Sequence, residues 1–221
     1  MTVRLYYAPG ACSFVPHVGL ERIAAATGEP FEAVQIRLHK GEHRTPEFLA
    51  MNPDGQVPVL QVDGRTLTQI VAICDWIAGR HPQLGLLPVD PWARAQTLSL
   101  MAWINNTVHP TFAHVFMPQK FTDDAEAQTR VKTFAAARYR EQLERIQGWV
   151  GCAQPWLTGE QPSFLDAYVL TLLRWGGYAG IDPATLPALR DYVARFAQHP
   201  TVAAVIARER IELDTFKPAA A

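Results

Sequence analysis

Cys12 and Ser13 stand side by side one residue after the dipeptide Pro9-Gly10. Before them, Val3, Leu5 and Tyr7 alternate with Arg4 and Tyr6, the two-residue period of a strand. After them, apolar residues at Val15, Val18, Leu20, Ile23 and Ala24 predict a helix over Ser13–Thr27 that Gly28 stops. A strand that turns tightly into a helix N-terminus suits anions, because the first-turn N–H groups have no intrahelical partner. A thiol placed there is expected to ionise more easily than usual. The stretch Tyr6–Ser13 therefore predicts a site for sulfur chemistry, the chain's own or a ligand's.

Other reactive residue types have plainer readings. Cys74 falls inside a predicted helix and Cys152 near its end, so packing and surface roles are expected. His39 and His43 have a spacing that binds metal on a helix, but they lie in a polar stretch, and no metal site is expected. Asp166 closes the sequence Ser163-Phe164-Leu165-Asp166, which reads as a helix capping box rather than as a catalytic carboxylate. His17 and His114 read as structural, and the spacing of Trp103, Phe112 and Phe116 reads as core.

Strands and helices mix over the first 80 residues. A strand at Phe31–Ile36 follows the first helix, His39–Thr45 reads as a surface loop, and Pro46–Met51 as a short helix. Asn52-Pro53-Asp54-Gly55 is a turn by its residue types. It leads to a strand ending at Val62, an Asp63-Gly64 hairpin into Thr66–Leu67, and a helix from Gln69 to about Gly79. From Pro91 every strong signal is helical: Pro91–Asn106, Asp124–Trp149, the almost wholly apolar Ser163–Tyr178, Leu186–Gln198 and Thr201–Arg210. Pro110 is expected to kink the first of these, and the Pro-Ala-Ala-Ala tail to fray. The expected division is 1–81, a linker at 82–90, and 91–221.

The 221 residues carry a formal net charge of −1, so no bulk field recruits nucleic acid or an acidic membrane. No apolar run approaches the roughly 18 residues of a membrane span, and no secretory signal is evident. Three separated cysteines fit a reducing cytoplasm better than a disulfide framework.

This β-α-β-β-β-α order followed by a helical half resembles the cytosolic glutathione transferases. Tyr-Tyr-Ala-Pro-Gly-Ala-Cys-Ser followed by Pro16-His17 is similar to the bacterial beta class, as is Leu173-Arg174-Trp175. Asn52-Pro53-x-Gly55-Gln56-Val57-Pro58 resembles the family's glutathione-binding turn, and Ser163-x-x-Asp166 the capping box of its central helix. The resemblance implies an α/β thioredoxin-like N-terminal domain, an all-α C-terminal domain, a cytoplasmic homodimer, and glutathione as co-substrate. It implies a cis Pro58, and that Val57 and Gln56 hold the tripeptide's backbone. Gln69-Ile70 would take the γ-glutamyl end, and Lys40 or His43 the glycyl carboxylate. Cys12 and Ser13 would meet the sulfur, His109 the second substrate, and Asn106 and Thr107 the neighbouring subunit's ligand.

Three departures accompany it. Ile70 stands where the family usually has Ser or Gly, which removes a hydroxyl and narrows the site; Pro110 replaces a lysine after His109, and Ala102 replaces a polar residue. The expected reaction is attack of a bound glutathione thiolate on a hydrophobic electrophile, as in detoxification. Two alternatives stay open: a glutathione-dependent thiol-disulfide oxidoreductase using Cys12, and a binding protein that has lost catalysis.

Overall fold

The structure, a computed structural model, describes residues 1–218; the tail expected to fray extends to 219–221, outside the described residues. Strand β1 (Val3–Tyr7) is the hub of the first half. It pairs in parallel with β2 (Glu32–Gln35) and antiparallel with β3 (Val59–Val62), which pairs with β4 (Arg65–Leu67), giving the order β2-β1-β3-β4. Alternation along β1 assigns its faces. Val3, Leu5 and Tyr7 enter the main core with helices α1 (Phe14–Thr27) and α3 (Ile70–Arg80). Tyr6 joins Ile36, Val59 and Phe48 of α2 (Pro46–Met51) in a smaller cluster. The stretch His39–Thr45, read as an irregular loop, forms two single 3₁₀ turns at Leu38–Lys40 and Glu42–Arg44.

The second half is helical, with α4 (Pro91–Trp103), α5 (His109–Phe116), α6 (Ala125–Val150), α7 (Phe164–Tyr178), α8 (Pro187–Ala197) and α9 (Pro200–Glu209). Its core is continuous with that of the first half, since α1 packs on α7 and α9. The kink expected at Pro110 takes the form of a π-turn, Ile104–Val108, joining α4 to α5. The His109 N–H donates to the Ile104 carbonyl, and the widened turn makes room for a ring that would otherwise press on the preceding turn. Phe112 is core as expected; Phe116 is 56% exposed.

Helix α7 is buried almost all round, so its N-terminal N–H groups need partners inside the protein. The capping box supplies them: Ser163 Oγ accepts from Leu165 N–H (3.2 Å), and Asp166 accepts from Ser163 N–H (2.6 Å). Asp166 also accepts from Leu157 N–H (3.2 Å) and from the Tyr192 hydroxyl, tying α8 to the helix start. Burial pushes the Asp166 carboxyl up, against the pull of these donors. Asp166→Ala strands several buried donors at once, and is expected to lower unfolding free energy by more than about 3 kcal/mol in urea titrations.

Candidate functional site

The turn between β1 and α1 is closed by Ser13. Its hydroxyl accepts from the Ala8 N–H (3.1 Å) and donates to the Ala8 carbonyl (3.2 Å), fully buried. The expectation that the Ser13 hydroxyl meets a ligand sulfur is thereby corrected, because its one hydrogen goes to shaping the turn, and only the Ser13 N–H is left for that part. Cys12, one residue earlier, is 7% exposed, and its thiol donates to the Val57 carbonyl at 3.6 Å. The lowered pKa expected of a thiol at a helix start is corrected too. Burial pushes Cys12 up to about 12, although the N–H groups of Cys12 and Ser13 pull the other way. Removing a thiolate from water costs more here than the helix end returns, so Cys12 is a neutral S–H donor at pH 7.

Around that thiol lies a cleft of roughly 360 Å³ with a mostly polar lining. One wall is the turn before β3, with Gln56, Val57 and a Pro58 joined by a cis peptide bond. The Val57 N–H has no hydrogen-bond partner among the described residues. A second wall is the start of α3, where Gln69 sits at φ 68°, ψ 115° and hands over to Ile70. A non-glycine residue in this region carries backbone strain, of the kind that gathers at functional positions. The N–H groups of Ile70, Val71 and Ala72 precede the first intrahelical bond, Ile73 N–H to Gln69 O (3.0 Å). The Ile70 side chain itself is 3% exposed and belongs to the main core.

His109 forms the third wall, its ring 4.8 Å from that of Trp175. Burial pushes its imidazole down to about 4, so it is neutral at pH 7. Two further lining residues escaped the sequence reading. Asn52, buried, donates from its side chain to the Gln56 carbonyl (2.8 Å) and accepts from Asp54 N–H (3.2 Å), so it staples the turn before Val57. Its place at the head of Asn-Pro-Asp-Gly was the available signal. Asn105 lines the cleft because the π-turn shifts the helical phase; a regular helix gave no reason to prefer it to its neighbour.

Other expected residues are not brought to the cleft. Lys40 is exposed on its 3₁₀ turn, and His43 has a buried Nδ1 without a partner among the described residues. Burial, Arg44 and Lys120 hold the His43 imidazole below its ordinary value. Asn106 and Thr107, expected at a neighbouring subunit's ligand rather than in this cleft, are exposed on the π-turn. Among the described residues no group of three His, Cys, Asp or Glu side chains is placed to hold a metal, and no helix is long and apolar enough to cross a membrane.

Comparison with known proteins identifies this arrangement. Residues 1–79 match the family model for the glutathione S-transferase N-terminal domain, and 97–200 that for the C-terminal domain. Glutathione S-transferase GST-4.5 of Xanthomonas campestris is 32% identical over 209 residues, 94% of this chain and 98% of that protein. The chain belongs to the glutathione S-transferase family. A glutathione transferase homologue from Sulfitobacter with bound glutathione has a TM-score of 0.86 at 26% identity, covering 95% of this chain and 99% of that one. The beta-class glutathione S-transferase of Sphingomonas chungbukensis has a TM-score of 0.77 at 31% identity, covering 93% and 98%. Maleylacetoacetate isomerase of Pseudomonas aeruginosa is 32% identical over 185 residues, 81% of this chain and 85% of that protein.

Two measurements probe the electrostatics of this transferase-family cleft. Cys12 should be alkylated far more slowly at pH 8 than the exposed Cys152, read peptide by peptide by mass spectrometry. His109, with a folded pKa of about 4, stays neutral in the fold while the unfolded chain takes up a proton below about 6.5. Its contribution to stability is therefore complete above that value and lost as pH falls toward 4. Between pH 6.5 and 4 the wild type should lose about 3 kcal/mol more than His109→Gln, by chemical denaturation.

Proposed function

We propose that this family member binds glutathione in the cleft and directs its thiol onto a hydrophobic electrophile. The observation that carries the reading is a neutral, buried Cys12 thiol beside unused main-chain donors at Val57 and the start of α3. These residues fit the tripeptide. The Val57 N–H offers a main-chain pair to an extended peptide, and the free N–H groups of Ile70 and Val71 suit a carboxylate. The Gln69 side chain is exposed at the same helix end and serves the γ-glutamyl group. When bound, glutathione supplies the nucleophilic sulfur. Cys12 lends that sulfur an S–H hydrogen bond, and the N–H groups of Cys12 and Ser13 add positive ends of dipoles. Neutral His109, its ring tilted at 55° against Trp175, forms a face toward the second substrate without adding charge.

A neutral Cys12 also weighs against the oxidoreductase alternative, since a thiol held near pKa 12 is a poor attacking group. Asn106 and Thr107 are exposed on the π-turn, which suits contact with a second copy in a cytoplasmic homodimer. Lys40 and His43 lie outside the cleft in this chain, and we assign them no contact with the tripeptide.

Calorimetric titration of glutathione should give a dissociation constant in the millimolar range or tighter, weakened about tenfold by Gln69→Ala. No heat at about 10 mM ligand would sink the reading in favour of a non-catalytic protein. Cys12→Ala should keep conjugation to within about tenfold while abolishing any thiol transfer. The 32% identity to an isomerase favours a second reading, a glutathione-dependent isomerisation. Counting glutathione during turnover separates the two, because conjugation consumes one per product and isomerisation none.

A further inference from the structure

Directly beyond α9 the described chain stays against the protein. Residues Ile211–Phe216 form a strap that lies against α7 at Gly177. A Cβ on Gly177 would stand 2.3 Å from Thr215 Oγ1 and 2.4 Å from the Phe216 nitrogen, so this seat exists only because the residue is glycine. Thr215 is buried there, its hydroxyl donating to the Arg174 carbonyl.

The Arg174 side chain then links the strap to the cleft. Its Nε donates to the Glu212 carbonyl (2.6 Å), one terminal nitrogen to the Gly10 carbonyl (3.2 Å), and the other to the Tyr178 hydroxyl (3.1 Å). Gly10 is the second glycine this arrangement uses: its φ of 67° favours glycine, and a Cβ there would push on the guanidinium at 2.6–3.0 Å. Two residues beyond Gly10 lies Cys12. A planar guanidinium holds several acceptors in one fixed fork, so moving the strap carbonyl loosens one of the two donors on the turn carbonyl, leaving the Trp175 indole (2.9 Å) to hold it alone.

We propose that the strap is a positioning element of the thiol site, acting through Arg174 on the Pro9–Gly10 turn that carries Cys12. Arg174 is the positioning residue, and Gly177 is what admits the strap. The role assigned to Cys12 rests on the functional reading above; the mechanical link does not.

Two variants of the full chain unseat the strap: Gly177→Ala, and truncation after Ile211. Both should retain the wild-type circular dichroism spectrum and a cooperative melt. Alkylation of Cys12 by iodoacetamide, without glutathione, should accelerate about fivefold, the factor one hydrogen bond is worth, while Cys74 stays at its wild-type rate. In conjugation assays kcat should fall by a similar factor with KM for glutathione unchanged. Arg174→Gln should do the same, and adding the truncation to it should cost nothing more.

An unchanged Cys12 rate in both variants overturns the proposal, as does a Cys74 rate rising in step, which marks general loosening. Failure of both variants to fold overturns it too, because the strap would then serve the fold as a whole. If the wild type binds no glutathione, the functional reading fails alone, and the alkylation rates still decide the link.

Discussion

Gly10 is gripped through both its N–H and its carbonyl, and the shape of the cleft depends on that grip. Its N–H donates to the buried Glu209 carboxylate of α9 at 2.9 Å. Its carbonyl accepts from the Trp175 indole at 2.9 Å and from Arg174 at 3.2 Å, both on α7. Glu209 is itself fixed by His17 Nδ1 of α1 at 2.7 Å, with both side chains fully enclosed. A turn between a strand and a helix would ordinarily be among the softer parts of a fold. Here two helices of the second half and one of the first hold the two peptide planes that meet at Gly10. Cys12 inherits its place against Val57 from those planes.

The same enclosure sets the chemistry. A helix start favours an anion by a fraction of an elementary charge, whereas stripping water from a thiolate costs far more unless it is fully paired. With only the N–H groups of Cys12 and Ser13 to help, desolvation wins and the proton stays on sulfur. On the function proposed above, an incoming sulfur nearer the open side of the cleft would keep some water and share the pull of those N–H groups, which suits the turn to assisting a guest thiolate more than to carrying one.

Much of this was legible in the residues. The alternation of Val3, Leu5 and Tyr7, the turn types at Asn52–Gly55 and Asp63-Gly64, and the box at Ser163–Asp166 each reflect a local rule that survives in the fold. What escaped depends on distance rather than on type. Ser13 looks like a ligand donor until Ala8 takes both of its bonds. Cys12 looks acidic until its burial is known. Asn105 enters the cleft because one wide turn ahead of Pro110 shifts the helical phase, which a regular period cannot anticipate. Nothing local marks Glu209 as the partner of a residue near the other end of the sequence.

That last pairing sets an order of events in time. The bond from Gly10 to Glu209 spans 199 residues of sequence, so it cannot form until nearly the whole chain is available. At roughly 5–20 residues per second on a ribosome, a nascent chain carries its thiol for about 10–40 s before the group that fixes the turn has been made. A turn that is made long before α9 is thus fixed only after it, once α9 has docked.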